Sequence, residues 1–425
     1  MHAIARWSAG RIHYGWIVVG VTFLSLLAAA GVRATPSVLI VPLEQTFGWT
    51  RATISLAISI NIFLYGLMGP FAGALMLRIG IRRTVALALA LMSGTIALST
   101  LIQAPWQLIL TWGFMIGLGS GTVALVFGAA VVNRWFVERR GLVMGMLTAA
   151  TATGQLVFLP MLASVAQSDG WTSAAWIVAA AVAAMVPVVL LLLRDNPQDV
   201  GLQPYGAAAD TPITPPSQAN PIVVALSVLA RVSRSRDFWL LFLSFFVCGL
   251  STNGLIGTHL IAACFDQGIP EVRAASLLAM MGIFDLIGTT LSGWLSDRYD
   301  SRWLLFWYYG LRGLSLVFLP YSDFTFYGLT LFAVFYGLDW IATVPPTVRL
   351  VNDLFGKRDA PVIFGWILTG HQIGAAVAAT GAGTLRVELG SYLEAFVLAG
   401  IACVLTAFMV LWIGRRQREV AVAGT

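Results

Sequence analysis

Gly73-Ala74-Leu75-Met76-Leu77-Arg78 recurs 220 residues later as Gly293-Trp294-Leu295-Ser296-Asp297-Arg298. The same offset joins other punctuation. Asn133 and Phe136 ahead of Arg139-Arg140 match Asn352 and Phe355 ahead of Lys357-Arg358, and Gly170-Trp171 with Trp176 matches Gly390 with Phe396. Long apolar runs fill the sequence between these marks. Repetition at a fixed offset is the signature of a duplicated architecture. In a membrane chain, parallel repeats place a substrate site at the interface of the two halves.

Composition agrees. Of 425 residues, 58% are hydrophobic and 10% charged, with a mean hydropathy of +0.85, whereas a soluble domain carries roughly 25% charged residues. Apolar segments of about 20 residues, enough to cross a hydrocarbon core of ~30 Å, recur at 14–37, 51–73, 84–103, 106–131, 141–165, 171–194, 238–264, 271–295, 303–321, 324–349, 360–385 and 391–414. Twelve such spans predict an all-α integral membrane protein with two six-helix bundles. The first bundle is read as 1–194 and the second, with a short cytoplasmic tail, as 238–425. The stretch 195–237, with Pro197, Pro204, Pro212, Pro215, Pro216 and Pro221 among polar residues, is read as a cytoplasmic linker without enough apolar surface to fold alone. It closes on Arg231, Arg234 and Arg236, at a depth suited to anionic headgroups.

The basic residues orient the chain. With a cytoplasmic N-terminus, only Arg51, Arg273 and Arg386 fall in outward loops, and Arg33 and Arg312 fall within spans. The remaining twenty of the 25 Lys and Arg lie on the cytoplasmic side, as the positive-inside rule requires. Both termini are then cytoplasmic, and the net charge of +6 reflects topology rather than nucleic-acid binding. Arg6 and Arg11 precede a run long enough to span, which is read as the first helix and not as a cleaved signal. Cys248, Cys264 and Cys403 lack metal-ligand spacing and are read as buried small apolar groups. No metal or cofactor is expected. The Gly117, Gly119 and Gly121 run, like Gly141, Gly145 and Gly154, allows close helix packing.

Twelve spans, a 6+6 repeat and the basic loop Gly73-Ala-Leu-Met-Leu77-Arg78-Ile-Gly80-Ile-Arg82-Arg83 resemble the major facilitator superfamily. The resemblance implies a cytoplasmic latch between the halves, falling here on Gly73, Arg78, Arg82, Asp297 and Arg298. The family's acidic loop residue is Leu77 here, while the second copy keeps Asp297. Three stretches resemble the branch of monocarboxylate transporters and oxalate/formate antiporters. These are Tyr14-Gly15-Trp16 with Phe47-Gly48-Trp49-Thr50-Arg51, then Trp135-Phe136 through Gly145, and Asn196-Pro197 through Pro204. That branch places an Asp and, four residues on, a substrate-binding Arg in the eighth span. Here Asp285 is followed by Thr289, so the usual anion anchor is missing from its usual place.

An ionisable side chain inside a span costs several kcal/mol and marks a functional candidate. The spans hold Arg33, Asp285, Arg312, Asp339 and His371. At 1.5 Å rise per residue, the last four lie roughly 15–20 Å from the cytoplasmic face, near the midplane. Arg33, three residues before helix-breaking Pro36, stands in the outer half of the first span as a candidate anion contact. A snorkelling role is its alternative. Arg312 needs a carboxylate, Asp285 or Asp339, because a guanidinium cannot lose its charge. Asp285, which the resemblance matches, is the first candidate proton carrier, followed by His371 and Asp339. Under the repeat offset, Tyr65 corresponds to Asp285 and Asn253 to Arg33. Tyr65, Gln155, Asn253, His259, Tyr336, Trp340, Trp366, Gln372 and, as a substrate contact too, His371 are candidate lining residues, and Pro345-Pro346 is expected to bend the helix beside Asp339.

The leading expectation is a secondary active transporter of a small organic anion, a carboxylate, by alternating access and proton symport. Its partners are that anion, the proton and the lipid bilayer. An anion antiporter and an exporter of hydrophobic or cationic compounds are the alternatives. A sensor would need a docking module, and an enzyme would need a nucleophile–base or metal constellation that the sequence lacks. The Arg-rich, loop-poor composition suits a monomer in a bacterial inner membrane.

Overall fold

A bilayer core offers no water to backbone polar groups, so each apolar run must satisfy its own N–H and C=O groups as a helix. The computed structural model describes residues 13–207, 220–356 and 359–415. Arg6, Arg11, residues 208–219 with Pro212, Pro215 and Pro216, and Lys357-Arg358 lie outside them. α1 (Tyr14–Phe47) begins where the His13 side chain accepts from the Gly15 N–H at 3.1 Å. It ends at Gly48, whose φ of 66° suits glycine at a helix C-terminus. Thr50 caps α2 (Arg51–Ile79). Then come α3 (Ile81–Ser99), α4 (Pro105–Trp135), α5 (Arg140–Asp169), α6 (Trp171–Leu192) and the short α7 (Pro221–Val232). The second half comprises α8 (Arg236–Asp266), α9 (Glu271–Ser296), α10 (Ser301–Phe318), α11 (Phe326–Phe355), α12 (Ala360–Leu389) and α13 (Leu393–Val410).

Eleven of these helices are long and apolar enough to cross a membrane, against twelve expected spans. The exception is α10, which occupies the expected 303–321 span. Arg302, Tyr308, Tyr309 and Arg312 within its 18 residues lower its hydropathy. Arg312 is nevertheless buried and paired, so the helix carries its charge inside the protein rather than into lipid.

The repeat is visible in the packing. α1 lies against α5 and α3 against α6, and the second half repeats this as α8 against α12 and α10 against α13. The halves meet through α2 against α12 and α5 against α9. Backbones come very close where α8 crosses α12, and again where α9 crosses α11 at Gly288. A Cβ at Gly249 would collide with the His371 carbonyl, and one at Gly374 with the Phe246 carbonyl. Gly374→Ala is therefore expected to cost about 1–3 kcal/mol by overpacking, read as a lowered unfolding temperature in detergent.

Two expectations need correction, and the linker gains a helix. α1 continues unbroken through Pro36 to Phe47. A proline is tolerated inside a membrane helix that neighbouring helices support, and α1 packs along α5 and α6. The linker is not wholly irregular. Asn220 caps the amphipathic helix α7, which packs on α2 and α12, where Trp366 donates to the Ala225 carbonyl at 3.0 Å. α11 does not merely bend at Pro345-Pro346: it breaks after Asp339 and restarts at Val344, with both prolines in the first turn of the second piece.

Two further irregularities bear on the site. α4 and α8 each widen into a π turn, at Ile109–Met115 and Leu250–Ile256. Polar side chains take up the loosened carbonyls. Asn61 donates to Trp112 O at 2.6 Å, and Thr258 donates to Asn253 O at 2.8 Å.

Candidate functional site

A cavity lies between the halves, walled by α1, α2 and α5 on one side and α8, α9, α11 and α12 on the other. Six of the sequence candidates meet there: Arg33, Tyr65, Gln155, Asn253, Trp340 and Gln372. Helical spacing explains α2's contribution. Ile58, Asn61, Ile62 and Tyr65 fall at i, i+3, i+4 and i+7, one face of a helix. The sequence reading omitted Asn61, Ser37 and Thr258. An amide inside an apolar run was the available signal for Asn61.

Arg33 is the one charged residue among those lining this cavity. Its guanidinium sits 4.3 Å from the centroid of the Tyr65 ring, and Nη1 donates to the Tyr65 hydroxyl at 3.2 Å. Among the described residues it has no carboxylate partner. Stacking on an aromatic face holds the cation without neutralising it. The polar amides around it can hydrogen-bond an oxygen of an anion seated on Arg33.

Arg312 differs in every respect. It is fully enclosed and its Nε donates to Asp339 Oδ2 at 2.6 Å. Nη2 donates to the carbonyls of Asp339 and Trp340, and Nη1 reaches Cys248 Sγ at 3.1 Å. Asp285 Oδ1 accepts from the Ile341 N–H and the Thr289 hydroxyl, each at 2.9 Å. Ser292 Oγ donates to Ala342 O at 2.5 Å. These side chains satisfy the backbone groups that the break in α11 sets free. Of the two acids open to Arg312, the tertiary structure selects Asp339, while Asp285 bonds to the same break from the other side. Cys248, read as an apolar filler, is instead an acceptor for Arg312 and contacts the Thr343 hydroxyl at 3.3 Å.

His371 meets that cluster only at its edge, where its ring lies beside the Cys248 thiol. Its Nε2 lies 3.2 Å from Asn253 Nδ2 in the cavity wall, and its Nδ1 is buried without a partner among the described residues. Tyr336, expected to line the cavity, is turned away: it is 1% exposed and donates to the Ser251 carbonyl at 2.8 Å. His259 is also buried, with Nε2 on the Ala379 carbonyl and Nδ1 on the Tyr392 hydroxyl. Trp366 is held at α7 instead. Sequence spacing placed these residues at a depth, and packing turned them from the cavity.

The expected latch residues keep to their own halves. The Arg82 N–H bonds to Asp195 at 2.9 Å, Asp297 pairs with Arg349 at 3.3 Å, and Arg298 stacks on Trp294 at 4.0 Å. Gly73 faces Val126, and Arg78 makes no hydrogen bond across the interface among the described residues. The halves are joined instead at the opposite end. There Arg51 bridges to Asp266, and deeper in, Ser59 donates to the Ala376 carbonyl at 2.7 Å and accepts from Thr380 at 2.6 Å. The latch assignment thus has no contact across the halves in this conformation, because α2 and α12 pack together near Arg51 and not near Arg78.

Comparison with known proteins agrees with this architecture. The family model described as Major Facilitator Superfamily matches residues 21–379 and 262–424. An uncharacterised MFS-type transporter of Bacillus subtilis (strain 168), YcxA, is 24% identical over 374 residues, covering 85% of this chain and 86% of that protein. Monocarboxylate transporter 13 of Rattus norvegicus is 28% identical over 395 residues, covering 91% and 86%. Among solved structures, a bacterial homologue of the human lysosomal transporter Spinster, in an inward-facing and occupied conformation, aligns with a TM-score of 0.73 at 16% identity over 96% of this chain and 98% of its own. A D-xylose–proton symporter aligns at 0.74 with 14% identity, over 94% and 98%. The duplicated all-helical fold, the cavity between its halves and the family match over nearly the whole chain lead to one conclusion: the protein belongs to the Major Facilitator Superfamily and is a secondary transporter of the membrane, not an enzyme.

Proposed function

We propose that the chain moves a small organic anion, a monocarboxylate, by alternating access and proton symport. One observation carries this reading: the cavity wall holds a guanidinium, Arg33, with no carboxylate to neutralise it among the described residues. A cation left unpaired within a membrane span is stabilised when a substrate anion arrives. A single cation suits a single carboxylate, since a second would lie against neutral amides and pay its desolvation unpaired. Ile58, Ile62, Leu159, Leu278 and Trp340 give the substrate an apolar flank. The relatives named monocarboxylate transporters point the same way. The absence of an acid from the described wall disfavours an exporter of organic cations.

In this reading Arg33 and Tyr65 seat the carboxylate, and Asn253, Gln155 and Trp340 surround the rest. His371 carries the coupling proton, because it alone of the three proposed carriers bonds to a wall residue. Asp285 and Asp339 serve the break in α11. The Arg78 end faces a bacterial cytoplasm, with both termini there, as the basic residues argue, and the protein acts as a monomer.

The test is thermal stabilisation of the detergent-purified protein by mono-, di- and aromatic carboxylates, with lipophilic cations as controls. A ligand of the folded state at about 100 times its Kd adds roughly 2.7 kcal/mol. Stabilisation by monocarboxylates is the expected result, and stabilisation confined to cations would overturn the reading. His371→Gln is then expected to keep downhill uptake while losing accumulation driven by a pH gradient. Full pH-driven accumulation in that variant would exclude His371 as the carrier.

A further inference from the structure

The geometry points to a reversible ionic latch at the Arg51 end, built so that each charge keeps a partner when the halves separate. Arg51, at the start of α2, is only 4% exposed in its side chain. Its Nη1 and Nη2 donate to the two carboxylate oxygens of Asp266, on α8 of the other half, at 2.8 and 2.7 Å. This two-pronged pairing is the strongest geometry open to a guanidinium and a carboxylate. Nη1 also reaches the Tyr392 hydroxyl at 3.3 Å. That hydroxyl lies 3.2 Å from His259 Nδ1, whose other nitrogen is 2.8 Å from the Ala379 carbonyl. The carbonyl fixes the proton on Nε2, so Tyr392 donates to Nδ1 and its oxygen is free to accept from Arg51.

Each member of the central pair has a second partner within its own half. Arg51 Nε donates to Glu44 Oε2, on α1, at 2.8 Å, and Arg386 Nε, on α12, donates to Asp266 Oδ2 at 2.6 Å. This arrangement has an energetic consequence. Breaking a buried pair by removing one partner leaves a bare charge and is strongly unfavourable. Here, parting the halves leaves Arg51 with Glu44 and Asp266 with Arg386. Opening then costs the cross-half bonds and not two unpaired charges, so the pairing can break and re-form in a transport cycle.

This inference rests on alternating access as proposed above, but its test requires no substrate. Nitroxide labels at Gln45→Cys and Gln267→Cys, on opposite halves at this end, report their separation by double electron–electron resonance. The native Cys248, Cys264 and Cys403 are buried. In Asp266→Asn the ratio of long to short distances is expected to rise about tenfold or more. Arg386→Gln is expected to leave the short distance dominant, because Asp266 still holds Arg51 when closed and is left unpaired when open. Network members that merely stabilise the fold would respond alike. An unchanged distribution in Asp266→Asn, or equal opening in Arg386→Gln, would overturn the latch. Should Asp266→Asn fail to yield monodisperse protein, Arg51→Gln breaks the same pair from the other side and is held to the same outcomes. A failed latch beside a positive carboxylate shift would leave the substrate reading intact.

Discussion

Arg33→Ala is expected to lower carboxylate uptake by about a hundredfold or more, with little loss of stability in the unliganded protein. Truncating one partner of a desolvated, hydrogen-bonded charge pair costs about 2–5 kcal/mol, and each 1.4 kcal/mol is about tenfold. The partner here would be the substrate's own carboxylate, since among the described residues the guanidinium is held by the Tyr65 ring and hydroxyl. Without substrate the same cation is a burden on the fold, so its removal does not unfold the protein. Arg33→Lys keeps the charge but loses the planar stacking on Tyr65, and intermediate uptake is expected. Uptake assays in proteoliposomes, alongside thermal unfolding in detergent, check both halves of the statement. Unchanged uptake of every transported acid in Arg33→Ala would remove the anion anchor.

The second large effect is on stability. Asp339→Asn is expected to destabilise the protein by about 3–5 kcal/mol, because it strands the enclosed Arg312 charge. The double variant Arg312→Leu/Asp339→Leu is expected to be more stable than either single one, since no charge is then left uncompensated. Recovery will be incomplete, because Arg312 also bonds to the Asp339 and Trp340 carbonyls at the α11 break. Thermal unfolding of Arg312→Leu, Asp339→Leu and the double variant provides the cycle. A well-folded Asp339→Asn that loses only pH-driven accumulation would instead make Asp339 a proton carrier, and would displace His371 from that role.

The contrast between the two arginines shows where sequence reasoning stops. Both stand inside apolar runs, and both were legible as candidates from that fact alone. Only the packing distinguishes them: α10 turns Arg312 toward Asp339, whereas α1 turns Arg33 into the cavity beside an aromatic ring. Tyr336 and Trp340 make the same point on one helix. They sit four residues apart, close in depth and on neighbouring faces, yet Tyr336 is spent on the Ser251 carbonyl while Trp340 reaches the cavity wall. Trp340 is at the break, where the helix no longer dictates direction.

By itself the sequence determined the duplicated membrane architecture, the positions of the spans and the short roster of ionisable groups at mid-depth. Hydropathy and a rise of 1.5 Å per residue fix position along a helix, and that is a one-dimensional quantity. The tertiary structure decided the partners. It gave Asp339 to Arg312, left Arg33 without an acid among the described residues, set Asp285 against the freed Ile341 N–H, and joined Arg51 to Asp266 across 215 residues. Partner choice depends on the rotation of each helix about its axis and on which neighbour it packs against. Those are fixed by contacts between segments far apart in the chain, which no local pattern records.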